Sequence, residues 1–127
     1  MKRLLIVLVI VAVGWWLLPS LQAQTTDKSF QEGKKLFEAT CADCHRVNGR
    51  GLPAMFPALD ADPFVTGDPS QVIDTVLQGR KGKLGQMPSW KETFNDQQLA
   101  DIITYIRQAW SNTGGAVTPE MVKKRRK

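Results

Sequence analysis

At 127 residues the chain has room for one domain and not for two. It carries 17 Lys and Arg against 12 Asp and Glu, a formal charge of +5, yet Lys2 and Arg3 open the chain and Lys123, Lys124, Arg125, Arg126 and Lys127 close it. The stretch between is slightly acidic, which excludes a basic nucleic-acid-binding domain, and one His with two Cys cannot build a Cys₄, Cys₃His or Cys₂His₂ zinc site.

Behind Lys2 and Arg3, residues 4–18 have no polar side chain, and Pro19, Ser20 and the small Ala23 follow. This is the layout of a secretory signal cleaved after Ala23. A retained membrane anchor is the other reading, because extending the apolar run to Leu21 reaches the roughly 18 to 20 residues that cross a bilayer. Either reading exports the remainder, so the expected location is periplasmic or on the extracytoplasmic membrane face. The expected divisions are 1–23 for the signal or anchor, 24–116 for the domain and 117–127 for a basic tail.

Ser29 and Glu32 predict a capping box that starts a helix running into Cys41, with Phe30, Gly33 and Phe37 on one face. Residues 47–68 are rich in Gly and Pro and read as a long irregular loop. Asp68 followed by Pro69 starts a second helix, whose apolar stripe of Val72, Ile73, Val76 and Leu77 ends at Gly79. A further irregular stretch covers 80–94. Asn95 then caps a third helix with Leu99, Ile102, Ile103, Ile106 and Trp110 at helical spacing, stopped by Gly114 and Gly115. Thr118 and Pro119 can begin one more short turn. The domain is expected to be all-α, with three main helices joined by long loops.

Cys41, Cys44 and His45 form C-x-x-C-H, the pattern at which haem is attached covalently. Residues three apart on a helical turn face the same way, so two thiols can meet one edge of a porphyrin while the next residue places its imidazole under the iron. A thioredoxin-like dithiol needs a βαβ context that is missing here, and a disulfide closing so short a loop stabilises little. For a second axial ligand the residues leave Met1, Met55, Met87, Met121, a Lys or an open position. Met55, with Phe56, reads as an apolar wall. Met87 belongs to no periodic apolar pattern, follows a Gly-rich stretch and precedes Pro88.

Residues 29–110, through CADCH, FPAL, VLQGRKGKLGQMPSW and LADIITYIRQAW, resemble class I monohaem c-type cytochromes, in particular the small domains that serve terminal oxidases and membrane alcohol dehydrogenases. The resemblance implies a cytochrome c-like fold wrapped around one haem c, with Cys41 and Cys44 as attachment sites, His45 as proximal ligand and Met87 as distal ligand. It implies that the Pro57 carbonyl accepts the other ring N–H of His45. Gly33 and Phe37 match a crossing with the last main helix at Ile102 and Tyr105, Trp90 an aromatic position near the haem, and Arg80 a partner for a propionate.

With both axial positions filled, the iron can only exchange electrons, so a one-electron carrier of the respiratory chain is expected rather than an enzyme. A haem subunit fixed in an oxidase or dehydrogenase complex is one alternative, and an open-site haem that reduces peroxide or binds gas is another. Partners are then a dehydrogenase or a terminal oxidase. Arg80, Lys81, Lys83 and Lys91 either ring the haem edge and steer an acidic partner or form an ordinary solvated surface. The tail reads as a mobile solvated end or as a contact to anionic headgroups.

Overall fold

The first helix, α1, covers residues 24–40 in a computed structural model that describes residues 24–83 and 85–127. The expected signal or anchor at 1–23 lies outside the described residues. Helix α1 passes straight through Ser29, so the expected capping box does not form. Glu32 pairs with Lys35 at 2.8 Å instead. The Ser29 hydroxyl finds a stronger acceptor across the fold, donating to Oδ1 of the buried Asp101.

The chain keeps its helical sense through Cys41, whose amide donates to the Phe37 carbonyl at 2.8 Å, into the single turn α2 (Ala42–His45). Within the expected loop at 47–68 lies a short helix missed by periodicity, α3 (Pro63–Thr66), where the Asp62 side chain accepts from the Phe64 amide. Four residues are too few to repeat an apolar pattern. Helix α4 (Pro69–Gln78) is as expected: Asp68 caps it, Pro69 opens it, Val72, Ile73, Val76 and Leu77 are buried, and Gly79 leaves it at φ 76°. The stretch after it contains a small antiparallel ladder, β1 (Arg80–Lys81) against β2 (Gln86–Met87), with Arg80 opposite Met87 and Lys81 opposite Gln86.

Asn95 caps α5 (Asp96–Gln108) and forms a reciprocal box with Gln98. This helix ends at Gln108, short of the expected stop at Gly114 and Gly115. Trp110 lies beyond it at φ 57°, so its helical spacing with Ile106 was coincidental. From Leu99 to Arg107 every residue of α5 is buried, because α3, α4 and α6 pack on it and α1 crosses it. The crossing is at Gly33, as expected: a Cβ there would fall 1.9 Å from the Asp101 carbonyl oxygen and 2.9 Å from Tyr105 Cβ. Phe30 and Phe37 flank it, with ring centroids 5.1 and 5.3 Å from that of Tyr105.

A helix buried on all sides must satisfy its polar residues internally. Asp101 accepts from Ser29 and Gln97. Thr104 exchanges hydrogen bonds with the amide and carbonyl of Val117. The Arg107 guanidinium donates to the carbonyls of Val65, Gly67 and Gly115 at 2.7 to 2.9 Å.

The basic end is not a mobile tail. Thr118 caps α6 (Pro119–Arg125), Val122 is fully buried, Arg125 forks onto Asp74 of α4, and Arg126 bonds Asp96 of α5. Residues 117–127 are therefore packed on the same body as the rest. The apolar signal for this was Val117, Met121 and Val122 beside a run of cations, too short to register as a pattern.

Candidate functional site

The three residues of the motif share one helical turn. The amides of Cys44 and His45 donate to the Cys41 carbonyl at 3.2 and 3.0 Å, which stacks the two cysteines on one side and turns His45 inward. The thiols are half-buried and not bonded to each other. Burial, and then the neighbouring Cys44, push the Cys41 thiol up to about 11. A dithiol exchange centre needs a depressed thiol, so the electrostatics oppose that chemistry.

His45 is 9% exposed, and its Nδ1 lies 3.0 Å from the Pro57 carbonyl oxygen. A carbonyl only accepts, so the ring proton resides on Nδ1 and Nε2 keeps its lone pair. Burial holds the imidazole below its ordinary pKa, partly offset by the Pro57 carbonyl. The ring is thus neutral at physiological pH, with one nitrogen anchored and the other suited to a metal.

Pro57 reaches this position through a tightly folded loop. After α2 the backbone takes positive φ at Arg46 (64°), Gly49 (68°) and Gly51 (60°), and the Gly51 amide returns to the His45 carbonyl at 2.9 Å. Leu52 and Phe56 then pair across a turn, which brings the Phe56 and Pro57 carbonyls against Gly51. Trp110 clamps the other side. Its Nε1 donates to the Val47 carbonyl at 2.9 Å, and its ring covers Gly49 so closely that a Cβ would be 2.6 Å away. Neither Trp110 nor the two glycines carried a sequence signal for this role beyond the Gly-rich composition of the loop.

Met87 is half-buried on β2 and packs against the core, while Met55 is 47% exposed at its turn. Gly79 lies against the Met87 carbonyl, where a Cβ would sit 2.5 Å away. The segment after Met87 is tied to α4: the Ser89 hydroxyl donates to the Leu77 carbonyl at 2.5 Å and the Trp90 amide to the Val76 carbonyl at 3.1 Å. Trp90 packs on Phe94, with ring centroids 5.6 Å apart. Arg80 is exposed and places its guanidinium 5.2 Å above the Phe64 ring. Lys81 and Lys83 are exposed beside it, whereas Lys91 turns to the Lys127 carbonyl and leaves the expected group of four cations.

Hydrogen bonds therefore join Cys41, Cys44, His45 and Pro57 into one cluster, with Met87 and Trp90 held on a neighbouring segment against the same core. Two thiols on one helical turn, a neutral imidazole with a fixed tautomer and a thioether are the groups whose chemistry fits a covalently attached haem. Among the described residues no helix is long and apolar enough to cross a membrane.

The family described as cytochrome c oxidase, cbb3-type, subunit III matches residues 28–106. The chain is 33% identical over 105 residues to the cytochrome c subunit of a quinone alcohol dehydrogenase from Gluconacetobacter polyoxogenes, covering 74% of this chain and 22% of that protein. It is 36% identical over 107 residues to the cytochrome c subunit of gluconate 2-dehydrogenase from Pantoea cypripedii, covering 76% and 24%. With the CcoP subunit of the cbb3-type oxidase of Azospirillum brasilense the identity is 31% over 103 residues, covering 76% and 32%. The matched part is thus between about a fifth and a third of these relatives' length.

Proposed function

The chain belongs to the cbb3-type cytochrome c oxidase subunit III family of cytochrome c domains, and from that premise we propose that it holds a single haem c on Cys41 and Cys44, ligated by His45 Nε2 and Met87 Sδ, and works as a one-electron carrier. Bound there, haem supplies a ferric/ferrous couple whose potential is raised by methionine ligation. The observation that carries this reading is the His45 to Pro57 hydrogen bond. It fixes the tautomer, holds the ring plane and strengthens Nε2 as a donor. Cys41 and Cys44 would bind through thioethers, Met87 would close the opposite face, and Trp90 would pack beside it. Arg80, stacked on Phe64 and still exposed, remains available to a propionate.

The chain would operate outside the cytoplasm, carried there by the segment before Gln24. Electrons would pass between a dehydrogenase and a terminal oxidase. A subunit fixed in such a complex is favoured over a diffusing carrier by the relatives, each of which is named as a subunit.

The test is the absorption spectrum of the ferric holoprotein beside that of Met87→Ala. The weak far-red band of methionine-bound iron should be present in the first and lost in the second. A band that survives the substitution overturns Met87, and rapid carbon monoxide binding by the unmutated ferrous protein would establish an open site instead.

A further inference from the structure

A two-residue strand is a weak support for the proposed ligand, so what holds the chain that follows Met87 matters. Helix α4 holds its first residues, through Leu77 and Val76 to Ser89 and Trp90. The next residues are held by one side chain from the far end of the chain. Arg126 donates Nε to Asp96 Oδ1 at 2.6 Å, Nη2 to the Phe94 carbonyl at 2.9 Å, and Nη1 to the Lys91 carbonyl. Lys91 and Phe94 bracket the turn that leads from Trp90 into α5, a turn closed by the amides of Thr93 and Phe94 on the Trp90 carbonyl. Arg126 itself is fixed, because its amide caps α6 on the Val122 carbonyl and Val122 is fully buried.

The neighbouring cation has a different task. Arg125 joins α6 to α4 through Asp74, with both side chains at least a third exposed, whereas the Arg126 and Asp96 side chains are 22% and 28% exposed. The planar fork of arginine suits the three-acceptor task and a lysine does not.

We propose that Arg126 is a positioning residue for Met87: it closes the turn after the ligand strand and so sets how readily Met87 leaves the iron. This rests on the His45 and Met87 ligation above. Its side-chain partners are Asp96, Lys91 and Phe94 and none is a proposed ligand, so its influence runs through the backbone of Lys91 to Phe94.

Imidazole, which competes with the methionine for ferric iron, is the probe, titrated into the full-length holoprotein while the far-red band is followed. Arg126→Ala should raise imidazole affinity roughly tenfold by removing charge-assisted hydrogen bonds from one side of the segment. Arg126→Lys should fall between it and the parent. Arg125→Ala removes the same charge from the same helix and should change imidazole affinity by less than about twofold while lowering Tm. Equal effects of the two alanine variants, or none from either, overturn the proposal. Should Arg126→Ala fail to fold, Asp96→Asn loosens one arm of the fork and should still raise the affinity by about two- to threefold; an unchanged value is likewise fatal. Loss of the band in Met87→Ala with parental imidazole binding in Arg126→Ala rejects the positioning role alone. Persistence of the band in Met87→Ala rejects the ligation and this proposal with it.

Discussion

Gly51 lies against the carbonyl oxygen of Pro57 so closely that a Cβ on it would come within 2.5 Å of that oxygen. The same oxygen accepts from Nδ1 of His45. A glycine without chemistry of its own thereby sets the position of the acceptor that orients the proposed iron ligand. Gly51→Ala adds backbone strain of about 1 kcal/mol at φ 60° and pushes the carbonyl away from the ring. A less anchored imidazole donates less to iron, which favours the reduced state, so the midpoint potential should rise, by up to about 60 mV if one hydrogen bond is lost. Spectroelectrochemical titration reads this directly, and an unchanged potential would break the link from Gly51 to His45.

Gly33 governs stability rather than potential. A methyl group 1.9 Å from the Asp101 carbonyl cannot be accommodated unless α1 and α5 move apart. That movement would pull Ser29 from Asp101 and loosen Phe30 and Phe37 on Tyr105. Gly33→Ala should therefore destabilise by about 3 kcal/mol or more, lowering Tm by roughly 10 °C or more. A thermal melt that shifts by only a degree or two would contradict the crossing.

The Asp74 and Arg125 pair predicts a pH dependence. A hydrogen bond from Arg125, more than its charge alone, holds the Asp74 carboxyl below its ordinary value of 3.8. A depressed carboxylate contributes its stability above its unfolded pKa and loses it as pH falls through the folded value. The contribution is thus complete at neutral pH, starts to fade as pH approaches the ordinary value of 3.8 and is lost as pH falls on through the lower folded value. Both side chains are at least a third exposed, so it amounts to about 0.5 kcal/mol after solvent screening. Asp74→Asn should lower Tm by about 2 to 4 °C at pH 7 and by less near pH 3. An effect that is the same at both values would point to packing instead of charge.

Much of this molecule is legible in its amino-acid sequence, and the reasons differ by element. Helix α4 carries its start at Asp68 and Pro69, its stripe and its stop at Gly79 in consecutive residues, and it appears as read. The start of α1 was misplaced because Ser29 and Glu32 satisfy a local rule, while the decisive partner, Asp101, is 72 residues away. Helix α5 showed its apolar face, but nothing local reveals that Asp101, Thr104 and Arg107 are also buried, since their acceptors and donors lie on other segments. The motif at 41–45 was legible because the chemistry dictates residue type and spacing, whereas the Pro57 acceptor was implied only by the resemblance to class I cytochromes. Trp110 over Gly49 and Arg126 on the turn after Trp90 were not, because each depends on the chain returning from a distant position.

The register of the small ladder has a mechanical consequence. Arg80 stands opposite Met87 and Lys81 opposite Gln86, so exposed cations and the proposed ligand strand are joined by their backbones rather than only near each other. An acidic partner gripping Arg80 and Lys81 would load the ladder that carries Met87. In such an encounter, the force of docking and the strength of the sulfur bond to iron would be felt along the same two residues.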